Sequence, residues 1–271
     1  MTIFKSTRYI YLIIFSCSLL LSCDKTGEPF STIEEDKKIG LQVADEIEAN
    51  PDDYPLLDEA AHPFAYTYLR NMAKEVLNSG HVKYKDEFVW QIKIIHDDSV
   101  LNAFAAPGGY LYFYTGLIKY LDKADDLAGV MGHEIAHADK RHSLKQIERQ
   151  MGLNALISLA LGNDPGQIQE IAASLAGNLT LLQFSRDAET EADMASVEYL
   201  AETPYQCNGA FSFFQKLIDG KQAGSTPTFL STHPNPENRI QEINNKAQEM
   251  GCSIVPLNPP SYQDFKNSLP K

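Results

Sequence analysis

His133 and His137 stand four residues apart in "GVMGHEIAHADKRH", Gly129 to His142, with Glu134 between them. On an α-helix, residues four apart differ by about 40° in direction, so the two imidazoles project side by side. Both can then reach one ion at ~2.0–2.1 Å. Glu134 turns toward the neighbouring side, where it can meet a water on the metal instead of the metal itself. The same helix carries an apolar face of Leu127, Met131, Ile135 and Ala138 and a thin face of Gly129, Gly132 and Ala136. A helix covered on every side is buried. A glutamate buried between two histidines is costly unless something compensates it, and a divalent cation does so. The chemistry such a set supports is attack by a metal-activated water, with Glu134 as base.

Two protein ligands do not make a site. A third histidine in the metzincin pattern would fall at the tenth position past His133, which is Ser143, and the glycine that pattern needs at the seventh is Lys140. His142 misses by one residue, and its setting "DKRHS" reads as an exposed basic helix end, so it receives no role. The inverted motif HxxEH is absent. The other source is a carboxylate on a second helix, "LLQFSRDAETEADMASVEYL". There Glu189 and Asp193 share a face while Glu191 points about 160° away. Glu189 could complete a His₂Glu site with an open fourth position, and Asp193 could hold the tautomer of a ligand histidine.

Other elements must position these residues. "STIEEDKKIGLQVADEIE" reads as a helix opened by a capping box of Thr32 and Glu35. "HPFAYTYLRNMAKEVLNSG" is a second, with Tyr66, Leu69, Ala73, Val76 and Leu77 on one face and Gly80 as the stop. "FVWQIKII", "LNAFAA" and "GYLYFYTG" are short β-branched or aromatic runs that predict a small sheet. "QMGLNALISLALG" and "QIQEIAASLAGNLTLLQF" are apolar but shorter than the roughly 20 residues a spanning helix needs, so they read as core helices. "GAFSFFQKLIDG" and "NPENRIQEINNKAQEMG" follow as amphipathic helices, the latter with Asn235 as cap, Pro236 first and Gly251 as stop.

The first residues are not fold. Lys5 and Arg8 precede an apolar run from Tyr9 to Leu21, the pattern of a secretory signal. It closes on "LLSC", which resembles a bacterial lipobox, making Cys23 the expected acylated residue. We therefore expect a signal peptide at 1–22, a tether at 23–31, a single catalytic domain at 32–252 and a tail at 253–271. Removing residues 1–22 takes away Lys5 and Arg8 and no acid, leaving 21 cations against 36 carboxylates, a net −15. Such an acidic chain argues against nucleic acid or anionic lipid as a direct partner and leaves the lipid as the sole membrane attachment. In an exported, oxidising compartment Cys207 and Cys252 can pair with each other.

With these pieces in place, the chain resembles the zinc metallopeptidases that include HtpX and the CAAX prenyl endopeptidase, a branch of the gluzincins. "HEIAH", "SRDAETEAD", "STHPNPENRI" and "NAFAAPGGYLYFYTGLI" carry the resemblance, which covers about residues 32–250. It implies an α+β, mostly helical zincin-like domain whose small sheet lines the cleft with an edge strand, and one Zn²⁺ per chain. It also implies Glu189 as the third ligand beside His133 and His137, with Asp193 and Arg239 supporting them. His233 would approach the site, either stabilising the oxyanion or latching the metal. Asn102 and Ala103 would bind the backbone of an extended polypeptide substrate. The membrane-embedded relatives have several spanning helices; this chain has none after Leu21. That points to exported, lipid-anchored members on the periplasmic side of the bacterial cell envelope, acting on unfolded or misassembled proteins there. A latent zinc-binding chaperone or assembly factor is the alternative.

Overall fold

The computed structural model describes residues 32–147, 183–222, 228–234, 238–255 and 261–271, together with 149, 166, 170 and 173. The expected signal peptide, Cys23 and the tether lie outside them, as do Asn235, Pro236 and nearly all of the two apolar segments between residues 151 and 182.

Helix α1 (Ile33–Ala49) opens on the expected capping box: the Thr32 hydroxyl accepts from the Glu35 backbone, and the Glu35 carboxylate accepts from Thr32 N–H. Helix α2 (Pro63–Leu77) follows, then strands β1 (Gln91–Ile95), β2 (Ala103–Ala106) and β3 (Tyr110–Tyr114). The sheet order is β1-β3-β2, with β1 parallel and β2 antiparallel to the central β3. Strand β1 begins three residues later than the run "FVWQIKII" suggests. Trp90 has φ 47°, which no strand residue adopts, and its indole N–H turns back to the Lys85 carbonyl.

Both faces of the sheet are covered. Alternate side chains of a strand point to opposite faces. Tyr110, Tyr112 and Tyr114 therefore pack with Ile39, Val43 and Ile47 of α1, and Leu111 and Phe113 face a larger core shared with α2 and the helices beyond. Burying each such apolar side chain contributes roughly 1.5–3 kcal/mol, so α1 is anchored by its inner stripe.

The short helix α3 (Thr115–Tyr120) leads to α4 (Ala124–Asp139), every residue of which is buried. Helix α5 (Arg186–Leu200) lies against α4, and α2, α6 (Ala210–Gln222) and β2 pack on the other sides of α4. The thin face of α4 makes this possible. A Cβ on Gly129 would sit 2.1 Å from the Ala210 nitrogen, and one on Gly132 2.7 Å from Ser196 Oγ, which donates to the Gly129 carbonyl. The chain finishes with α7 (Phe229–Thr232), α8 (Arg239–Met250) and α9 (Tyr262–Asn267). Helix α8 is described from Arg239 with Asn238 as its cap, and the expected start at Asn235 and Pro236 lies outside the described residues. Its other end closes as expected, on a left-handed Gly251. Cys207 and Cys252 are joined in a disulfide. No described helix is long and apolar enough to cross a membrane.

Candidate metal centre

Helix α4 presents His133, Glu134 and His137, and α5 presents Glu189, Glu191 and Asp193. Ser185 caps α5 by accepting from Ala188 N–H, which places Glu189 in its first turn. His133, Glu134, His137, Glu189 and His233 are fully buried. His133 Nε2 lies 3.0 Å from His137 Nε2, 3.2 Å from His233 Nδ1 and 3.4 Å from Glu189 Oε2. Glu189 Oε1 lies 3.3 Å from His137 Nε2 and 3.0 Å from His233 Nδ1.

These separations test whether an ion fits. Around a tetrahedral ion with ~2.0–2.1 Å bonds, neighbouring donors stand about 3.3 Å apart. The observed edges run from 3.0 to 3.4 Å. Two imidazole nitrogens face each other at the shortest edge, and with both as lone pairs they need a shared cation. Glu134 stands just outside this set, Oε1 3.6 Å from His233 Nε2, and neither of its oxygens has a hydrogen-bond partner among the described residues. The residues therefore fit a four-coordinate divalent ion with Glu134 free beside it.

The surroundings fix each ligand. The Nδ1–H of His133 donates to Asp193 Oδ1 at 2.9 Å, leaving Nε2 for the metal. Arg239 grips Asp193 with Nε at 2.5 Å and Nη2 at 2.7 Å, and its Nη2 also reaches Glu189 Oε2 at 3.1 Å. Its guanidinium lies 3.6 Å over the Phe214 ring. Burial acts against charging His133, but the Asp193 and Glu189 carboxylates outweigh it and lift the imidazole to about 9. Burial, with the charge of His133 added, drives His137 well below the usual imidazole range. Glu189 resists its burial because the facing histidines, His233 foremost, hold it well below the usual carboxylate range. Burial pushes Glu134 up, and the charges of His233 and His133, which make no hydrogen bond to it, only partly oppose this.

His233 follows α7, its N–H bonded to the Phe229 carbonyl and its ring stacked on Phe229 at 4.2 Å. The same segment meets the chain just before β2. Phe229 N–H donates to the Leu101 carbonyl at 3.0 Å, and the Thr232 hydroxyl reaches Asn102 Oδ1. Asn102 and Ala103 are fully buried here, with the 228–234 segment against the residues that lead into the edge strand.

His142 departs from its expected place. It is buried, with Nδ1 3.0 Å from His137 Nδ1 and Nε2 3.2 Å from Glu191 Oε2. The reason is Arg141, whose φ of 56° turns the chain sharply after α4 and sends His142 back onto the helix it has left. Asp36 of α1 holds that turn by a bidentate, buried ion pair to Arg141 at 2.6 and 2.9 Å. No residue type in "DKRHS" signals a left-handed arginine. Phe184, stacked on His137 at 4.0 Å, also carries no readable sequence signal.

A helix pair presenting two histidines and a glutamate to one point, with a glutamate beside them, defines a zincin-like metallopeptidase. The chain belongs to peptidase family M48, whose profile matches residues 63–247. It is 30% identical over 182 residues to the beta-barrel assembly-enhancing protease of Escherichia coli K12, covering 64% of this chain and 36% of that protein. It is 29% identical over 185 residues to the mitochondrial metalloendopeptidase OMA1 of Schizosaccharomyces pombe, covering 67% of this chain and 52% of that one. The chain spans about a third of the length of the bacterial proteases it matches. The family expectation therefore holds, while these relatives carry other names than the HtpX and prenyl endopeptidase branch.

Proposed function

We propose that this protein is a zinc-dependent endopeptidase of the cell envelope that cleaves unfolded or misassembled proteins. One observation carries the reading: three histidines and one glutamate, all buried, converge at tetrahedral spacing around a point that Glu134 adjoins. Histidine and carboxylate donors in that geometry suit zinc. A bound ion supplies Lewis acidity, polarising a peptide carbonyl and acidifying water. The chain's own groups do the rest. Glu134, a raised carboxyl with no hydrogen-bond partner among the described residues, takes a proton from water and returns it to the leaving amine. His133, His137 and Glu189 hold the ion, and Asp193 and Arg239 hold the ligands in place. Asn102, whose buried Nδ2 has no partner among the described residues, and Ala103 would bind the substrate backbone as an added strand. Export with a lipid on Cys23, on the periplasmic side, would place the enzyme among such substrates, and the name of the Escherichia coli relative supports an envelope role.

His233 favours a second state of the same protein. Its Nδ1 completes the donor set, so substrate requires the 228–234 segment to withdraw, and His233 could then turn to the oxyanion. A chain locked in the closed arrangement would act as a latent zinc-binding assembly factor. The test is cleavage of casein by the purified full chain against its Glu134→Gln variant. We expect the variant to lose about 10²–10⁴-fold in rate, the usual worth of a general base. Equal cleavage by both would overturn the peptidase reading. Zinc-loaded protein that cleaves only after His233→Ala would favour the latent state.

A further inference from the structure

We infer that His142 is a positioning residue for the metal centre, the middle of a proton-ordered relay from His137 to Glu191. The inference rests on the metal-site reading above and adds residues that reading does not use. His137 directs Nε2 at the donor set, 3.0 Å from His133 Nε2 and 3.3 Å from Glu189 Oε1, so a ligating His137 must carry its proton on Nδ1. The atom facing that proton is His142 Nδ1, at 3.0 Å. Two ring nitrogens at this distance share one proton, so His142 Nδ1 accepts. Its own proton is then on Nε2, 3.2 Å from Glu191 Oε2, which takes it. One arrangement satisfies every atom: His137 Nδ1–H to His142 Nδ1, and His142 Nε2–H to the Glu191 carboxylate.

The relay matches the support of the other ligand. His133 donates directly to Asp193; His137, one turn further along α4, is too far from that carboxylate and uses His142 as a spacer. Helix α5 thus serves three stations with three acids. Glu189 faces the metal point, Asp193 orients His133, and Glu191, on the opposite side of α5, orients His137 through His142. His137 is fully buried, so without His142 its Nδ1–H would have no water to turn to. Groups that orient a metal-ligating histidine typically change metal affinity by about 10–100-fold when removed.

The test uses the full chain and zinc itself. Zinc affinity is measured by competition with a chelator for the wild type, His142→Phe and His142→Asn, and metal-free melting temperatures report folding separately. Phenylalanine keeps the ring volume but cannot accept; asparagine places an oxygen near the position of Nδ1. We expect His142→Phe to bind zinc about 10–100-fold more weakly and His142→Asn to recover most of that loss. Phenylalanine binding as tightly as wild type, or asparagine doing no better than phenylalanine, would overturn the relay and leave the metal site standing. A wild type that binds no zinc would take both down. Should the phenylalanine variant not fold, ¹⁵N-histidine NMR of the zinc-loaded wild type decides: His142 protonated on Nε2 supports the relay, and His142 protonated on Nδ1 refutes it.

Discussion

At the scale of single residues, the centre is built from charges that would destabilise a core without an ion. His133, lifted to about 9 by Asp193 and Glu189, is protonated at neutral pH in the metal-free protein. A folded pKa above the unfolded value of 6.5 adds stability that is complete below about 6.5 and lost as pH rises through about 9. We expect the metal-free melting temperature to fall across that window, and to fall less in His133→Gln; thermal unfolding in a chelator checks it. With zinc the trend should reverse, because the ion competes with that proton. Asp193 has a second duty, compensating the fully buried Arg239. Asp193→Ala should therefore cost the metal-free fold about 1–3 kcal/mol in denaturant titration, because Arg239 loses its bidentate partner but keeps Glu189 Oε2 at 3.1 Å.

Among the elements, the α4–α5 pairing and its neighbours set the distances. The thin face of α4 could be read from Gly129, Gly132 and Ala136, because absence of side chains permits close approach whatever the partner. Gly129→Ala tests it with two opposing effects. Alanine gains about 1 kcal/mol in helix propensity. Its Cβ, however, would lie 2.1 Å from the Ala210 backbone nitrogen, which cannot swing aside. The clash should win, and we expect net destabilisation of about 1–3 kcal/mol by calorimetry. The ligands on α4 and α5 were legible for a related reason: helical spacing projects them from sequence directly. The turn at Arg141 was not, since it depends on Asp36 of α1, more than a hundred residues earlier. That is why His142 read as surface and is core. The bond from Phe229 N–H to the Leu101 carbonyl, just before β2, was equally hidden, being a contact between distant segments. Asp36→Ala should loosen α1 and the His142 turn together, lowering stability by about 3–5 kcal/mol because Arg141 stays buried and loses its bidentate partner.

For the whole molecule, the Cys207–Cys252 disulfide encloses α6, α7, His233, Arg239 and most of the segment that closes the centre, at a separation of 45 residues. Cross-linking a loop of that size stabilises by about 4 kcal/mol on chain-entropy grounds. We expect a Cys207→Ala/Cys252→Ala variant to melt lower by that order, which calorimetry would register. The net charge of −13 belongs to a chain whose metal-centre residues are buried, so it bears on solubility and encounter and not on the chemistry. What the molecule does depends on an ion at the convergence of α4, α5 and the His233 segment. Zinc content per chain, determined on the purified full-length wild type and Glu189→Ala after identical dialysis, tests this most directly. One zinc in the wild type and little in the variant is the expected result; a wild type without zinc, or a variant that keeps it in full, would contradict the metal centre.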